Sequence, residues 1–239
     1  MKQPVRNIVI LTGAGISAES GISTFRDEGG LWAQHNIEDV ATPEGFARNP
    51  DLVQSFYSAR RSQLKEVEPN PAHFALGRLE REFDGDVLLV TQNVDDLHER
   101  GGSTNILHMH GELKKVRCRN CSAIHDWEDD CGQDTSCPSC GAAPALRPHI
   151  VWFGEIPFYM DKIEGALSKA DLFISIGTSG NVYPAAGFVM LVRRFGKAHT
   201  VEINLEPSEG ASLFEETRHG KAGDLVPAFV EEILQMQSS

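Results

Sequence analysis

Short apolar runs alternate with amphipathic stretches along most of the chain. Uniformly apolar runs predict strands that are buried on both faces, at residues 8–12, 86–91, 106–108, 170–177 and 200–205. Residues 13–20 are predicted to form a turn and the start of a helix. Helical patterns predict further helices at residues 39 to about 67, 72–83, 185–195 and 224–236. Strands that alternate with helices indicate an α/β fold built on a doubly wound parallel sheet.

Two stretches interrupt this alternation. Residues 31–72 are largely helical in pattern, and residues 113–146 are rich in cysteine, serine, glycine and proline with little hydrophobic periodicity. The second stretch cannot bury much of a core by itself, so something else must hold it together. We therefore expect a large domain made of residues 1–30, 73–112 and 147–239. Residues 31–72 and 113–146 are expected to pack together as a small inserted domain.

Four of the five cysteines form two CxxC pairs. Their spacing, with fifteen residues between the pairs, is that of a zinc ribbon. Four thiolates complete a tetrahedral Zn²⁺ site and leave no open position for water, so the metal is predicted to be structural. Cys131 lies outside the spacing and is expected not to bind the metal. The predicted ligands are Cys118, Cys121, Cys137 and Cys140.

Composition limits the class of protein. The 239 residues are 41% hydrophobic, which is enough for a sizeable core, and the net charge of -12 argues against nucleic-acid or anionic-membrane binding but leaves basic peptides as partners. The apolar runs are too short for a membrane span, and the first residues lack the pattern of a signal peptide.

Cysteines in metal-like spacing favour a reducing compartment, so we expect a cytoplasmic protein. A monomer is expected because no long apolar stripe is evident.

A glycine-rich loop follows the first predicted strand. Its sequence, GAGISA, satisfies the G-x-G-x-x-G/A pattern in the strand–turn–helix context that the pattern requires. Backbone without Cβ atoms lets a pyrophosphate approach the N–H groups there. The alternative is a tight turn that binds nothing, and no carboxylate for a ribose is obvious at the usual distance. The candidate phosphate-binding residues are Gly13, Ala14, Gly15, Ser17 and Ala18.

Polar residues also follow the second and third predicted strands. Gln92, Asn93 and Asp95 stand where doubly wound folds place ligands, and they could bind a nicotinamide carboxamide and ribose hydroxyls or merely cap a helix. His108 and His110 lie near the cysteine-rich segment, and each could be a packing residue. Gly111 lets backbone pass close to His110, and an imidazole that faces a cleft suits general-base catalysis.

Taken together, these segments resemble the sirtuin (Sir2) family of NAD-dependent protein-lysine deacylases. The matching segments extend over nearly the whole chain in family order: GAGIS (13–17), GISTFR (21–26), TQNVD (91–95), HG (110–111), the four cysteines, VWFGE (151–155), GTS (177–179) and EIN (202–204). The resemblance implies a Rossmann-like large domain and a small zinc-bearing domain, with NAD and an acyl-lysine meeting between them. It is closest in kind to bacterial members that remove succinyl and malonyl groups.

The resemblance also implies a role for each matching residue. Residues 13–17 would hold the pyrophosphate of NAD, and His110, Asn93 and Asp95 would be catalytic. Further cofactor contacts would come from Thr24, Phe25, Arg26, Asp27, Trp32, Gln92, Gly177, Thr178, Ser179, Asn204, Leu205 and Ala222. The substrate peptide would pair as an added strand with Val151, Phe153, Gly154, Glu155, Asn181 and Val182.

The implied reaction joins the acyl oxygen to C1′ of the nicotinamide ribose as nicotinamide leaves. His110 then activates a ribose hydroxyl, and the products are lysine, nicotinamide and O-acyl-ADP-ribose. Zinc takes no part.

The residues of one predicted helix bear on which acyl group is removed. Tyr57 and Arg60 are three apart and share a helix face, where a phenol and a guanidinium could grip a carboxylate. This pair resembles the subgroup that removes succinyl and malonyl as well as acetyl groups, and the small Ala41 leaves room for a longer chain. The alternative is a surface arginine paired with Glu66.

Two other functions compete. A mono-ADP-ribosyltransferase would begin with the same NAD chemistry. A non-enzymatic zinc-ribbon binding module would need a basic face, and Lys114, Lys115, Arg117 and Arg119 are followed by Glu128, Asp129, Asp130 and Asp134.

Overall fold

Six parallel strands form the main sheet in the computed structural model of the protein, which describes residues 5–22 and 36–237. The sheet order is β3-β2-β1-β7-β8-β9, and every pairing in it is parallel. The strands are β1 (Asn7–Thr12), β2 (Asp86–Thr91), β3 (Ile106–His108), β7 (Leu172–Ile176), β8 (His199–Asn204) and β9 (Glu216–His219). Since β1 has β2 on one side and β7 on the other, the chain reverses direction of winding there, which opens a cleft at the carboxyl ends of these strands.

Helices cover both faces of this sheet. Ile8 and Ile10 of β1 face a core that α4 and α8 complete, whereas Val9 and Leu11 face a second core that α6 and α7 complete. Burial on both faces is why the central strands are apolar at every position. The covering helices are α4 (Pro71–Glu82), α6 (Met160–Leu167), α7 (Phe188–Phe195) and α8 (Ala222–Gln237).

A second, antiparallel sheet of three strands carries the cysteines. Its order is β5-β4-β6, with β4 (Gly111–Cys118) in the centre, β5 (Ile124–Asp126) and β6 (Leu146–Ile150). Three helices, α1 (Ile37–Val40), α2 (Pro43–Arg48) and α3 (Pro50–Gln63), lie against it, and α5 (Leu97–Arg100) follows β2. Two buried side chains of α3 fix the contact. Arg61 donates to the carbonyl of Leu113 at 2.9 Å, and Gln54 donates to that of Leu146 at 2.8 Å.

The predicted α/β class with a parallel sheet and a small inserted zinc-ribbon and helical part is confirmed. The predicted strands and the helices at 72–83 and 224–236 are found within a few residues of their predicted ends. The helical region after residue 39 is divided into three helices, since Thr42 and Asn49 each cap a new one. The predicted helix at 185–195 begins with a 3-10 turn, and the α-helix starts at Phe188. The division of the chain into domains at the stated boundaries stays a prediction.

The helix predicted to start in residues 13–20 does not form there. Two 3-10 turns, Ala14–Ile16 and Ala18–Ser20, take its place and end at Gly21 in a left-handed conformation. Within the described residues, no helix is long and apolar enough to cross a membrane.

Candidate functional site

Two glycine-containing loops interlock at the carboxyl ends of β1 and β7. The N–H of Gly15 donates to the carbonyl of Gly177 at 2.9 Å, and a Cβ atom on Gly15 would lie 2.7 Å from the Cα of Gly177. Gly177 has φ +63°, and a Cβ on it would meet the backbone nitrogen of Ile16 at 2.4 Å. The glycines are therefore required by the approach of one loop to the other, in addition to any role toward a phosphate.

Ser17 joins the first loop to the polar turn after β2. Its hydroxyl donates to Oδ2 of Asp95 at 3.2 Å and accepts from the side-chain amide of Asn93 at 3.2 Å. Asn93 also donates to the carbonyl of Gly13 at 3.1 Å, and Oδ1 of Asp95 accepts from the N–H of Leu97. Burial raises the pKa of the Asp95 carboxyl, and these donors offset part of that rise. Three predicted site residues thus form one buried network.

A second layer of buried polar residues supports this network and was not predicted. His73 Nδ1 accepts from the N–H of Asn70 at 3.2 Å, so Nε2 carries the hydrogen and donates to Ser17 at 3.4 Å. His98 Nε2 contacts the Thr12 hydroxyl at 3.0 Å. Burial lowers the pKa of His73 to about 4 and that of His98 well below the usual value, so both are neutral. The sequence N-P-x-H, which caps α4 through Asn70 and His73, is the signal that could have indicated His73.

His110 immediately precedes β4, and its ring is half-buried. Its Nδ1 lies 3.2 Å from the carbonyl of Gln92, and only an N–H can bond there, so Nε2 is left as a lone-pair acceptor. Burial lowers the pKa of His110, and the Gln92 carbonyl offsets only part of this shift. Gly111 has φ +87°, and a Cβ on it would lie 2.0 Å from the carbonyl oxygen of His149, which confirms the expected close passage of backbone.

His108, the other candidate, is occupied by protein partners. Its Nδ1 contacts the carbonyl of Asn93 at 3.2 Å and its Nε2 contacts Oε1 of Glu99 at 2.6 Å. Burial alone would lower the pKa of His108, but the hydrogen bond and charge of Glu99, with the charge of Glu112, outweigh it and the pKa is raised. His108 is therefore a packing and ion-pair residue, one of the two roles foreseen for it.

Gln92 offers an amide that no described residue binds. It lines a small cavity of about 20 Å³ together with Thr178 and Gly180, between the ends of β2 and β7. Across the sheet, Asn204 donates to the carbonyl of Thr178 at 2.7 Å. Leu205 is 67% exposed beside it. Ala222 begins α8, and the N–H of Gly223 donates to Glu19 after the first loop at 2.9 Å. Amide and hydroxyl groups around these loops suit the hydroxyls and carboxamide of a dinucleotide.

The candidates for the acyl group, Tyr57 and Arg60, interact with each other. Tyr57 is buried, and its oxygen accepts from Nε1 of Trp152 at 2.9 Å, which leaves the phenol O–H with no acceptor among the described residues. Burial raises the pKa of Tyr57 to about 12, against the charge of Arg60. Arg60 in turn interacts electrostatically with Tyr57 and Asp95, although burial lowers the pKa of Arg60. The Arg60 guanidinium thus lies near both Tyr57 and Asp95.

The segment after β6 continues the edge of the cleft. The N–H of Val151 donates to the carbonyl of His110 at 2.9 Å, and that of Phe153 donates to the carbonyl of Ala41 at 3.0 Å. Gly154 follows with φ +88°, and Phe153 is 50% exposed. Glu155 accepts two hydrogen bonds from Arg147, at 2.7 and 2.9 Å. On the facing loop, the N–H of Asn181 donates to Ser179, and Val182 is half-buried in the cavity beside Gln92.

The four predicted zinc ligands come together at the tip of the antiparallel sheet. All four sulfur atoms lie within 4.8 Å of one another, and the Cys118–Cys140 and Cys121–Cys137 sulfur pairs are each 3.8 Å apart. Sulfurs at about 2.3 Å from a tetrahedral Zn²⁺ are separated by about 3.8 Å, so the cluster fits the ion. Cys131 is buried against Val116 and Leu146 and is not part of this cluster.

Five predicted cofactor contacts lie outside the described residues: Thr24, Phe25, Arg26, Asp27 and Trp32.

Comparison with known proteins indicates the family of this chain. The model of the family described as "Sir2 family" matches residues 13–184. Two relatives named "NAD-dependent protein deacylase" are one from Vibrio parahaemolyticus, 59% identical with 100% of this chain and 99% of the relative covered, and one from Vibrio vulnificus, 61% identical with 98% and 96% covered.

Solved structures agree with these relatives. A Sir2 homolog–NAD complex has a TM-score of 0.88 at 38% identity, with 97% of this chain and 91% of that chain covered. A mutant Sir2 homologue in complex with 2′-O-acetyl ADP ribose has a TM-score of 0.88 at 37% identity, with 98% and 94% covered. On these matches, together with the interlocked loops, the network of polar residues and the four cysteines, the chain belongs to the Sir2 family.

Proposed function

We propose that the protein is an NAD-dependent deacylase that removes acetyl, succinyl and malonyl groups from protein lysines. The observation that carries the proposal is the hydrogen bond of His110 Nδ1 to the Gln92 carbonyl. It leaves a lone pair on Nε2 of an imidazole whose lowered pKa keeps the ring neutral. Its neighbours are the network of Ser17, Asn93 and Asp95. Relatives at 59–61% identity over nearly their full lengths bear the name NAD-dependent protein deacylase.

NAD would lie across the carboxyl ends of β1, β2 and β7. In this proposal the interlocked loops, with Gly13, Ala14, Gly15, Ser17 and Ala18, hold the pyrophosphate. The adenosine half lies toward Gly177, Thr178, Ser179, Asn204, Leu205 and Ala222. Gln92 binds the carboxamide or the ribose hydroxyls, because its amide is otherwise unused among the described residues. Thr24, Phe25, Arg26, Asp27 and Trp32 are proposed to complete the site.

When bound, NAD supplies an electrophilic ribose carbon, from which nicotinamide leaves, and a ribose hydroxyl that takes up the acyl group. His110 acts as the general base toward that hydroxyl, since an imidazole with a lowered pKa is unprotonated at neutral pH. The hydrogen bond of Nδ1 to Gln92 fixes the ring orientation and stabilises the imidazolium that forms. The proton thus passes from the ribose hydroxyl to Nε2.

Asn93 and Asp95 position the reacting groups. Each is buried and held by at least two hydrogen bonds to the first loop or to the start of α5. A side chain held in this way loses little further freedom when substrate binds, so orientation is prepared in advance. Their rigid attachment to Ser17 couples the nicotinamide side of the cleft to the pyrophosphate loop.

The acyl-lysine would enter beside Tyr57 and Arg60. The substrate peptide is proposed to pair with the backbone of Val151, Phe153, Gly154 and Glu155 on one side and of Asn181 and Val182 on the other. The Tyr57 O–H, which has no acceptor among the described residues, and the Arg60 guanidinium would bind the carboxylate of a succinyl or malonyl group. Ala41 leaves room for that chain. An acetyl group lacks the carboxylate but fits the same space.

Zn²⁺ is proposed to have a structural role only. Cys118, Cys121, Cys137 and Cys140 supply all four ligands of a tetrahedral ion, so the site has no position for a substrate. The ion would replace the core that residues 117–145 lack.

The test is a product analysis. The protein is incubated with NAD and a peptide that contains acetyl-lysine or succinyl-lysine, and the products are identified by mass. We expect equal amounts of free-lysine peptide, nicotinamide and O-acyl-ADP-ribose. ADP-ribose attached to protein, with the acyl group still on the peptide, would instead indicate a mono-ADP-ribosyltransferase and contradict the proposal.

A further inference from the structure

A groove with a strongly basic lining lies on the antiparallel sheet. Its volume is about 740 Å³, and its lining includes Arg117, Arg119, Arg147 and His149. No carboxylate is among the described residues that line it, although they include the acidic thiol of Cys118, a proposed zinc ligand. Because the whole chain has a net charge of -12, this local excess of positive charge is the reverse of the general surface.

Two of these arginines share a single carboxylate. Arg117 on β4 and Arg147 on β6 are directly paired across the sheet. Glu155 binds Arg147 through both oxygens, at 2.7 and 2.9 Å, whereas its nearest approach to Arg117 is 4.0 Å. One positive charge of the pair is therefore left without a matched anion, in a place where the Arg117 side chain is only 29% exposed.

The guanidinium groups of Arg117 and Arg119 are also oriented by aromatic rings. Arg117 lies over the ring of Phe158 at 5.9 Å, and Arg119 lies over that of Phe46 at 5.6 Å. Neither guanidinium donates a hydrogen bond to any residue that the structure describes. Held side chains with unused donors lose less entropy on binding an anion than free surface arginines do.

The groove continues the segment to which we assign the substrate. Trp152 forms part of its wall, between Val151 and Phe153, whose N–H groups bond to His110 and Ala41. Tyr159, 43% exposed, lies at its margin. A peptide that runs along residues 151–155 therefore passes beside the groove with its side chains within reach of it.

We propose that this groove is a subsite for an acidic side chain, aspartate or glutamate, that flanks the acyl-lysine in the substrate. The inference rests on the proposed deacylase function and adds a preference in substrate sequence. The planar guanidinium fork matches a carboxylate through two parallel hydrogen bonds, which a lysine-lined groove would not provide. The occupant is a segment of the same peptide, because the groove and the peptide-binding segment share Trp152.

The experiment scans one glutamate along an otherwise neutral acetyl-lysine peptide, with glutamine at the same position as the matched substrate. We expect the ratio of kcat/KM for the glutamate peptide to that for the glutamine peptide to reach about fivefold at adjacent positions on one side of the acetyl-lysine. The effect should lie in KM. In the R117Q/R119Q variant the ratio should fall to about one. The R194Q/K197Q variant also loses two positive charges, but at exposed positions near the end of α7, and it should keep the wild-type ratio.

A charge-reversed variant guards against simple loss of structure. R117E/R119E, verified as folded by circular dichroism and by unchanged zinc content, should prefer a lysine at the position where the wild type prefers glutamate. Equal turnover of all peptides by the wild type, or a glutamate preference that survives in R117Q/R119Q, would overturn the subsite.

Binding separates this result from the function itself. Fluorescence anisotropy of labelled acetyl-lysine peptides gives the same ratio without NAD. Absence of any turnover would contradict the deacylase proposal, whereas the anisotropy ratio would still support or overturn the groove.

Discussion

The ring of His110 is hydrogen-bonded through Nδ1 to the backbone carbonyl of Gln92, at 3.2 Å. The carbonyl fixes the tautomer, so the lone pair of Nε2 is on the side of the ring away from Gln92. Because Gln92 immediately precedes Asn93 after the end of β2, the turn that holds the Asn93 amide also orients the His110 ring. The proposed base and the proposed positioning residues are thus held by one short segment.

This arrangement predicts the pH dependence of activity. Burial lowers the pKa of His110, and the Gln92 carbonyl offsets only part of the shift. A base with a lowered pKa stays unprotonated to lower pH. The apparent pKa of the acid limb of kcat/KM should therefore lie below the usual histidine value of about 6.5. The measurement is kcat/KM for acetyl-lysine peptide against pH. An apparent pKa of the acid limb above that value would contradict the assignment of His110 as the base.

The acyl pocket predicts a separation of two activities. Replacement of Arg60 by methionine removes the guanidinium but keeps much of the apolar volume, so desuccinylation should fall about 10- to 100-fold in kcat/KM while deacetylation changes little. Parallel assays with succinyl-lysine and acetyl-lysine peptides check this. Arg60→Lys is the matched control, because it keeps the charge and loses the fork, and it should give an intermediate result. Equal loss of both activities in Arg60→Met would refute the pocket.

The zinc site predicts different results for neighbouring cysteines. Cys137→Ser should lose bound zinc and expose residues 117–145 to proteolysis, since the metal replaces a core there. Cys131→Ser is the matched control. Cys131 is buried but lies outside the four-sulfur cluster, so this variant should keep one zinc per chain despite some loss of stability. Elemental analysis of the purified variants gives the answer, and loss of zinc from Cys131→Ser would contradict the ligand assignment.

The His108–Glu99 pair predicts how stability varies with pH. The net pKa of His108 is raised, because Glu99 outweighs the effect of burial. The folded state then holds the proton more tightly than the unfolded state. The stabilisation is full below about pH 6.5 and is lost as the pH rises through the folded pKa.

The melting temperature of Glu99→Gln should therefore be about 2–4 °C below that of the wild type near pH 6. Near pH 9 the two melting temperatures should be almost equal. We expect the smaller end of this range, because Glu99 is 41% exposed and solvent screens the pair. Thermal unfolding of both proteins at the two pH values is the measurement. A difference that grows with pH would show that the pair does not act in this way.

Much of the large sheet could be predicted from the sequence because its central strands are buried on both faces and read as continuous apolar runs. β9 could not be, since its sequence ETRH contains no apolar residue and the strand lies at the sheet edge. The helix α6 also lacks a signal. Its N-cap, Tyr159, has φ 62° and makes no side-chain capping hydrogen bond. In β4 and β6, charged residues and a register shift between Gly111 and Val116 obscure the alternation expected of a strand.

The site shows the same division. Gln92, Asn93, Asp95 and His110 come shortly after strand ends, and His110 is followed by a glycine, which can be recognised from sequence. His73 and His98 support them from within helices, where a buried polar residue has no periodicity of its own. The sequence explains the glycines of the first loop by phosphate access or by a tight turn. It does not reveal the contact of Gly15 with Gly177, because these residues are far apart in the chain.

The most direct test of the account is the exchange of His110 for tyrosine. Wild-type protein and the variant are incubated with NAD and acetyl-lysine peptide, and the free-lysine peptide and O-acetyl-ADP-ribose are measured by mass. His199→Tyr, at the opposite end of β8 from the cleft, is the matched control. We predict that His199→Tyr forms both products as the wild type does and that His110→Tyr, folded to the same melting temperature, forms neither. Undiminished formation of both products by His110→Tyr would contradict the central claim that His110 is the general base.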